Sequence, residues 1–244
     1  MNVDSNNGDT GVITVNGNWE VGQIDINGGT TTNNFDITGA YTLLSKAGGI
    51  EIADGGDVAL VLSGTGTIST ITNDNTGSPD VVLGAVDGDN AGAGNEASLT
   101  VNSTGNINIG AVDLWASGTG GGTLTANLDT DGGDIETLSL GSLTVGGLSL
   151  SGNADKNEDY TAAGALATKA TGSNIALSNF GTVKFQGDVT SAGGISISDV
   201  TNVEIDTANK NGGAGNITLT ASSGSITMNS NIGNITAIDV GGGR

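Results

Sequence analysis

The chain has 244 residues, 44 of them glycine, a formal charge of −20, and neither histidine nor cysteine. The missing Cys excludes disulfides and thiolate metal sites, the missing His removes the commonest general base, and the negative field argues against nucleic acid and anionic membranes as partners. With 35% hydrophobic but only 3% aromatic residues, the composition points to a slim core of Val, Ile and Leu rather than to disorder.

Read from the start, residues 1–8 are polar, with no basic or apolar leader region, and no later stretch approaches the length of a membrane span. The chain therefore reads as a mature or excised segment, and no membrane insertion is expected. Short runs alternating apolar with small polar residues follow at 11–15, 23–26, 35–37, 49–52, 58–62, 67–71 and 81–83. The series continues at 98–101, 106–109, 112–115, 123–126, 135–140, 143–145 and 148–150, resumes at 175–177, 183–185, 195–197 and 203–205, and closes with three runs between 213 and 240. Gly, Asn, Asp, Ser and Thr separate them, as turns require. Two stretches, about 73–97 and 152–172, break this rhythm and are expected as loop insertions on a single domain covering 1–244. The Ala-rich part from Tyr160 to Ala170 is expected to form a short helix.

Hairpin pairs such as Asn16-Gly17, Asn27-Gly28 and Asp87-Gly88 would suit an antiparallel sandwich. Repetition argues more strongly for an all-β parallel β-helix, a β-solenoid. Gly-Asn-Ile recurs at Gly105, Gly215 and Gly233, with Ser173-Asn-Ile as a close variant. Copies are expected to stack, Asn on Asn and Ile on Ile. At about 20–30 residues per winding, the chain would make roughly eight to ten windings, a rod on the order of 40 Å long.

Calcium is the best small-ligand candidate, because clustered carboxylates favour it. Asp87 and Asp89 lie in Asp87-Gly-Asp-Asn-Ala-Gly92, and Asp155, Asn157 and Asp159 offer oxygens at alternate positions. Asp129 to Glu136 is a further acidic turn, and for all of these a solvated turn is the competing reading. The glycines of Gly118–Gly122 lack the Lys and following helix of a phosphate loop. Trp19 and Trp115 are open to sugar stacking or core packing. Thr218-Leu-Thr220 suggests a flat ice-binding face, but such pairs have no constant period in the sequence. Enzymes acting on acidic polysaccharides hold substrate with Arg or Lys, and the one Arg here is Arg244.

The run from Gly215 to Thr227, Gly-Asn-Ile-Thr-Leu-Thr-Ala-Ser-Ser-Gly-Ser-Ile-Thr, resembles the repeats of filamentous-haemagglutinin-type adhesins. The resemblance is clearest over residues 170–240. Those proteins are right-handed parallel β-helix passengers exported by two-partner secretion, and autotransporter passengers are similar. The resemblance implies an extracellular or cell-surface location and a structural or adhesive, non-enzymatic role. Self-association through the solenoid ends and contact with host or matrix glycans are the partners expected. The alternative is a carbohydrate-binding or carbohydrate-cleaving surface module that uses the insertions near Asp87 and Asp155.

Overall fold

The computed structural model describes residues 12–15, 17–26, 33–52, 58–62, 68–73, 80–88, 96–115, 121–128, 135–206, 219–221, 226–228 and 234–238. Among these the chain is all-β: 27 strands and no helix. The strands form three parallel sheets of nine, and the chain visits the first, second and third sheet in turn, nine times over. Each visit is here called a winding. The first begins with strands Val12–Val15, Trp19–Val21 and Ile24–Ile26, and the ninth consists of Leu219–Ala221, Ile226–Met228 and Asn234–Ile238.

Alternation dictates this arrangement. In a strand, successive side chains point to opposite faces, so Ile-x-Ile places two apolar groups on one side. Ile24 and Ile26 are buried, pair with Ile50 and Ile52, and these pair with Val81 and Leu83. The column continues through Ile107 and Ile109, Leu138 and Leu140, and Tyr160 and Ala162. All three sheets turn such columns inward, giving one continuous core. One outward column of the second sheet is built of small, mostly hydroxylated residues: Thr100 aligns with Thr125, Ser149, Ala176, Ser196 and Thr227. Thr residues without a constant sequence period thus fall into register, because connections of unequal length lie between aligned strands. Val183 and Val203 are paired 20 residues apart, Val203 and Ile235 32 apart.

The Gly-Asn-Ile motif acts differently from expectation. Its described copies are not adjacent in the stack: Asn106 and Asn234 fall in one column of the third sheet but five windings apart, Asn174 precedes a strand of the second, and residues 215–218 of the remaining copy lie outside the described residues. The motif serves an entry into a strand, and such entries occur at every corner. The Asn106 carboxamide oxygen accepts the Thr137 N–H at 2.8 Å, and that of Asn174 accepts the Gly194 N–H at 2.7 Å. Asn18 does the same for Thr42 at 2.9 Å. Each Asn therefore satisfies a backbone donor of the next winding where the ladder has not yet begun. One amide rung of the expected kind is present: Asn127 Nδ2 donates to Asn102 Oδ1 at 2.7 Å.

The expected helix from Tyr160 to Ala170 is replaced by strands Asp159–Ala162 and Leu166–Thr168, which pair in register with the windings on both sides. Ala has high helix propensity, but Tyr160 and Ala162 fill two inward columns, and burial outweighs a preference of a few tenths of a kcal/mol per residue. Of the stretch 152–172, residues 152–158, 163–165 and 169–172 remain as connections. The stretch 73–97 carries Ala85–Asp87 in addition to the expected strand at 81–83. Its segments 74–79 and 89–95 lie outside the described residues.

Candidate functional site

The corner leading from the third sheet back to the first is short after the third, fourth and fifth windings. One residue, Gly84, separates strand Val81–Leu83 from Ala85–Asp87, and Gly110 and Gly141 occupy the same corner in the next two windings. A Cβ on Gly110 would come within 2.7 Å of the Gly84 carbonyl oxygen, and one on Gly141 within 2.8 Å of the Gly110 oxygen. Glycine is what allows these corners to stack so closely.

The strands that follow build a groove on the outer face of the first sheet. Val86, Val112 and Leu143 point inward and are buried. Their neighbours point out, so Ala85, Ala111 and Ser142 make a low floor beside Asp87, Asp113 and Thr144. The groove has a volume of about 330 Å³. Asp87 and Asp113 are exposed partners on adjacent parallel strands, about 4.8 Å apart along the stack. Like charges at that spacing repel, and a divalent cation or a polyhydroxylated ligand would relieve or use them. Asp113 Oδ1 is held by the Trp115 N–H at 3.2 Å.

Asp87 is a candidate ligand by sequence, whereas Asp113, Ser142 and Thr144 join it only in the structure. A legible signal existed: Gly84-Ala-Val-Asp87 and Gly110-Ala-Val-Asp113 are identical tetrapeptides, and the structure stacks them residue on residue. Asp89 lies outside the described residues. Asp155 and Asn157 sit exposed in the connection before strand Asp159–Ala162, with Asn157 Nδ2 3.4 Å from Asp155 Oδ2. Asp159 is on that strand, between Thr137 and Thr182. The connection is organised from inside: fully buried Glu158 accepts the Asn153 N–H at 3.0 Å, and Lys156 takes a left-handed φ of 61° and pairs with Asp199 at 3.6 Å. Among the described residues no group of three or more Asp and Glu is placed to hold a metal.

The two tryptophans differ. Trp19 packs edge-on to Phe35, ring centroids 5.7 Å apart, against the core. Trp115 lies over the glycine pair at Gly121, whose Cβ would come within 2.9 Å of its ring. No protein-family model, curated protein or solved structure matches this chain. Function therefore rests on its geometry.

Asp36 shares the outward column of Asp87 and Asp113, with Val61 between. One of its carboxylate oxygens is buried and accepts no hydrogen bond from the described residues, and burial raises its carboxyl above the ordinary aspartate value. The protonated form is thus favoured by folding, so the fold is penalised as pH rises through that raised value. Asp36→Asn is expected to raise the urea midpoint at pH 7 and to leave it nearly unchanged near pH 3, below the ordinary aspartate value of about 3.9. Equal effects at both pH values would refute the assignment.

Proposed function

We propose that the chain winds as a single parallel β-helix and acts as a non-enzymatic structural or adhesive rod at the cell surface. It joins end to end into a filament or continues as the shaft of an adhesin. The observation that carries this reading is the continuity of the three sheets through all nine windings. Stacked parallel strands extend in one direction only, and each added winding buries the apolar face of the last. Eight strand spacings of about 4.8 Å give a described length near 40 Å. The charge of −20 keeps such a repetitive β surface soluble, and the likeness to filamentous-haemagglutinin-type repeats supports an extracellular location. Electron microscopy of the purified chain tests the assembly: filaments with an axial repeat on the order of 40 Å are expected, and isolated short rods at every concentration would leave only the shaft version.

The groove at Asp87 and Asp113 favours a second reading, a surface module for glycans or calcium. On this reading calcium bridges the two carboxylates, and millimolar calcium raises the melting temperature of the native chain but not of an Asp87→Asn, Asp113→Asn double variant. Identical calcium responses in the two proteins would remove it.

A further inference from the structure

The two ends of the stack differ in what they expose. The first winding carries a cavity of about 340 Å³ lined by Trp19, Val21, Gln23 and Ile24 to Ile26. Large exposed hydrophobics among the described residues are Val21, Ile135 and Ile226, so one lies on the first winding and one on the ninth. Strands of these two windings have a described ladder partner on one side only, at opposite ends of all three sheets.

Following each column from end to end shows what a second copy would place on the first winding. The inward column of the second sheet that ends in exposed Ile226 runs back through Ile195, Ile175 and Leu148 to Leu99 and Ser69. Continued in register, it reaches Gly17, where an added Cβ would meet nothing among the described residues within 4 Å. The neighbouring column begins at Trp19 and ends at Met228. In the first sheet the outward column begins at Thr14 and ends at Thr220, both exposed. Charge agrees: the first winding carries Glu20 and Asp25, whereas the described strands of the ninth carry no charged residue. A heterologous contact of this kind repeats without closing.

We infer that a second copy of this chain docks its ninth winding on the first, continuing all three sheets in register, with Ile226 seated over Gly17 beside Trp19. This rests on the end-to-end reading above and names its partner, register and contact residues. Across such a junction Thr220 and Thr14 of successive copies are parallel neighbours about 4.8 Å apart, within the Cα separation that a disulfide spans. Thr190 is one winding further, beyond it.

The native chain has no cysteine, so engineered thiols report without background. Under mild oxidation the Thr14→Cys, Thr220→Cys variant is expected to give a reducible ladder of oligomers on a denaturing gel, and the Thr14→Cys, Thr190→Cys variant none. Ile226→Asp is expected to abolish sedimenting assemblies while leaving the far-UV circular dichroism spectrum and its melting midpoint unchanged. Assembly without the ladder, or equal ladders from both cysteine pairs, would overturn this register and leave end-to-end assembly standing. A native chain that sediments as a monomer at every concentration would overturn the junction and the filament together.

Discussion

Gly122→Ala is expected to lower stability by about 3 kcal/mol or more, the upper range for forcing extra volume into a packed site. An added Cβ would overlap the Ala97 carbonyl oxygen and come within 3.1 Å of Leu114 Cβ. The backbone cannot retreat easily, because the Gly122 N–H donates to Leu114 at 2.8 Å and its carbonyl accepts from Gly146 at 2.7 Å. Gly146 is equally confined, since its Cβ would overlap Gly121. For a domain of this size such a loss corresponds to roughly 6–12 °C in melting temperature. Gly22→Ala is the control: its Cβ would have Ala47 at 4.0 Å as nearest neighbour. The same substitution there is expected to be neutral or to stabilise by about 0.4–1 kcal/mol through the unfolded chain. Thermal melts of the two variants decide the matter, and equal effects would show that the close approach at Gly122 is not a constraint.

Tyr160 is the second test, because its ring and its hydroxyl pull in opposite directions. The residue is fully buried between Leu138 and Val183 in the third sheet, with its ring 5.8 Å from that of Phe180. Its hydroxyl is buried without a hydrogen bond among the described residues, and burial raises its pKa far above the ordinary tyrosine value. Removing the ring by Tyr160→Ala is expected to cost about 3–5 kcal/mol, the transfer term plus the cavity. Removing only the hydroxyl by Tyr160→Phe is expected to stabilise by about 1 kcal/mol, since an unsatisfied buried polar group is a penalty. Urea titrations with unchanged slope would report both as changes in midpoint. A destabilised Tyr160→Phe would mean that the hydroxyl has a partner in the folded protein.

Most strands are legible from alternation alone, and six described strands escape it. Trp19–Val21, Thr42–Ser45, Ala85–Asp87, Asp159–Ala162, Leu166–Thr168 and Val189–Ser191 are three or four residues long. Several place a small or polar residue on the inward side, which breaks the apolar beat. Ser45, Thr168 and Ser191 are buried, and their hydroxyls are satisfied at corners: Ser45 Oγ donates to Gly48 at 2.6 Å, and Thr168 and Ser191 hydroxyls lie 3.1 Å apart. A polar residue facing inward is invisible to a pattern that equates inward with apolar. The groove was half visible for a related reason. Asp87 stands out within an acidic run, whereas Asp113 stands in none, and only the repeated Gly-Ala-Val-Asp tetrapeptide marks the two as neighbours across a winding of variable length.

The unequal windings have a mechanical consequence. Ladder hydrogen bonds run along the stacking direction, so tension applied between the ends loads them one row after another rather than all at once. Windings would then peel singly, each releasing its own contour: roughly 70 Å for the 20-residue step from Val183 to Val203 and roughly 110 Å for the 32-residue step from Val203 to Ile235. A pulled chain would yield in small, unequal increments. Connections that differ in length would thereby set the size of each step under load.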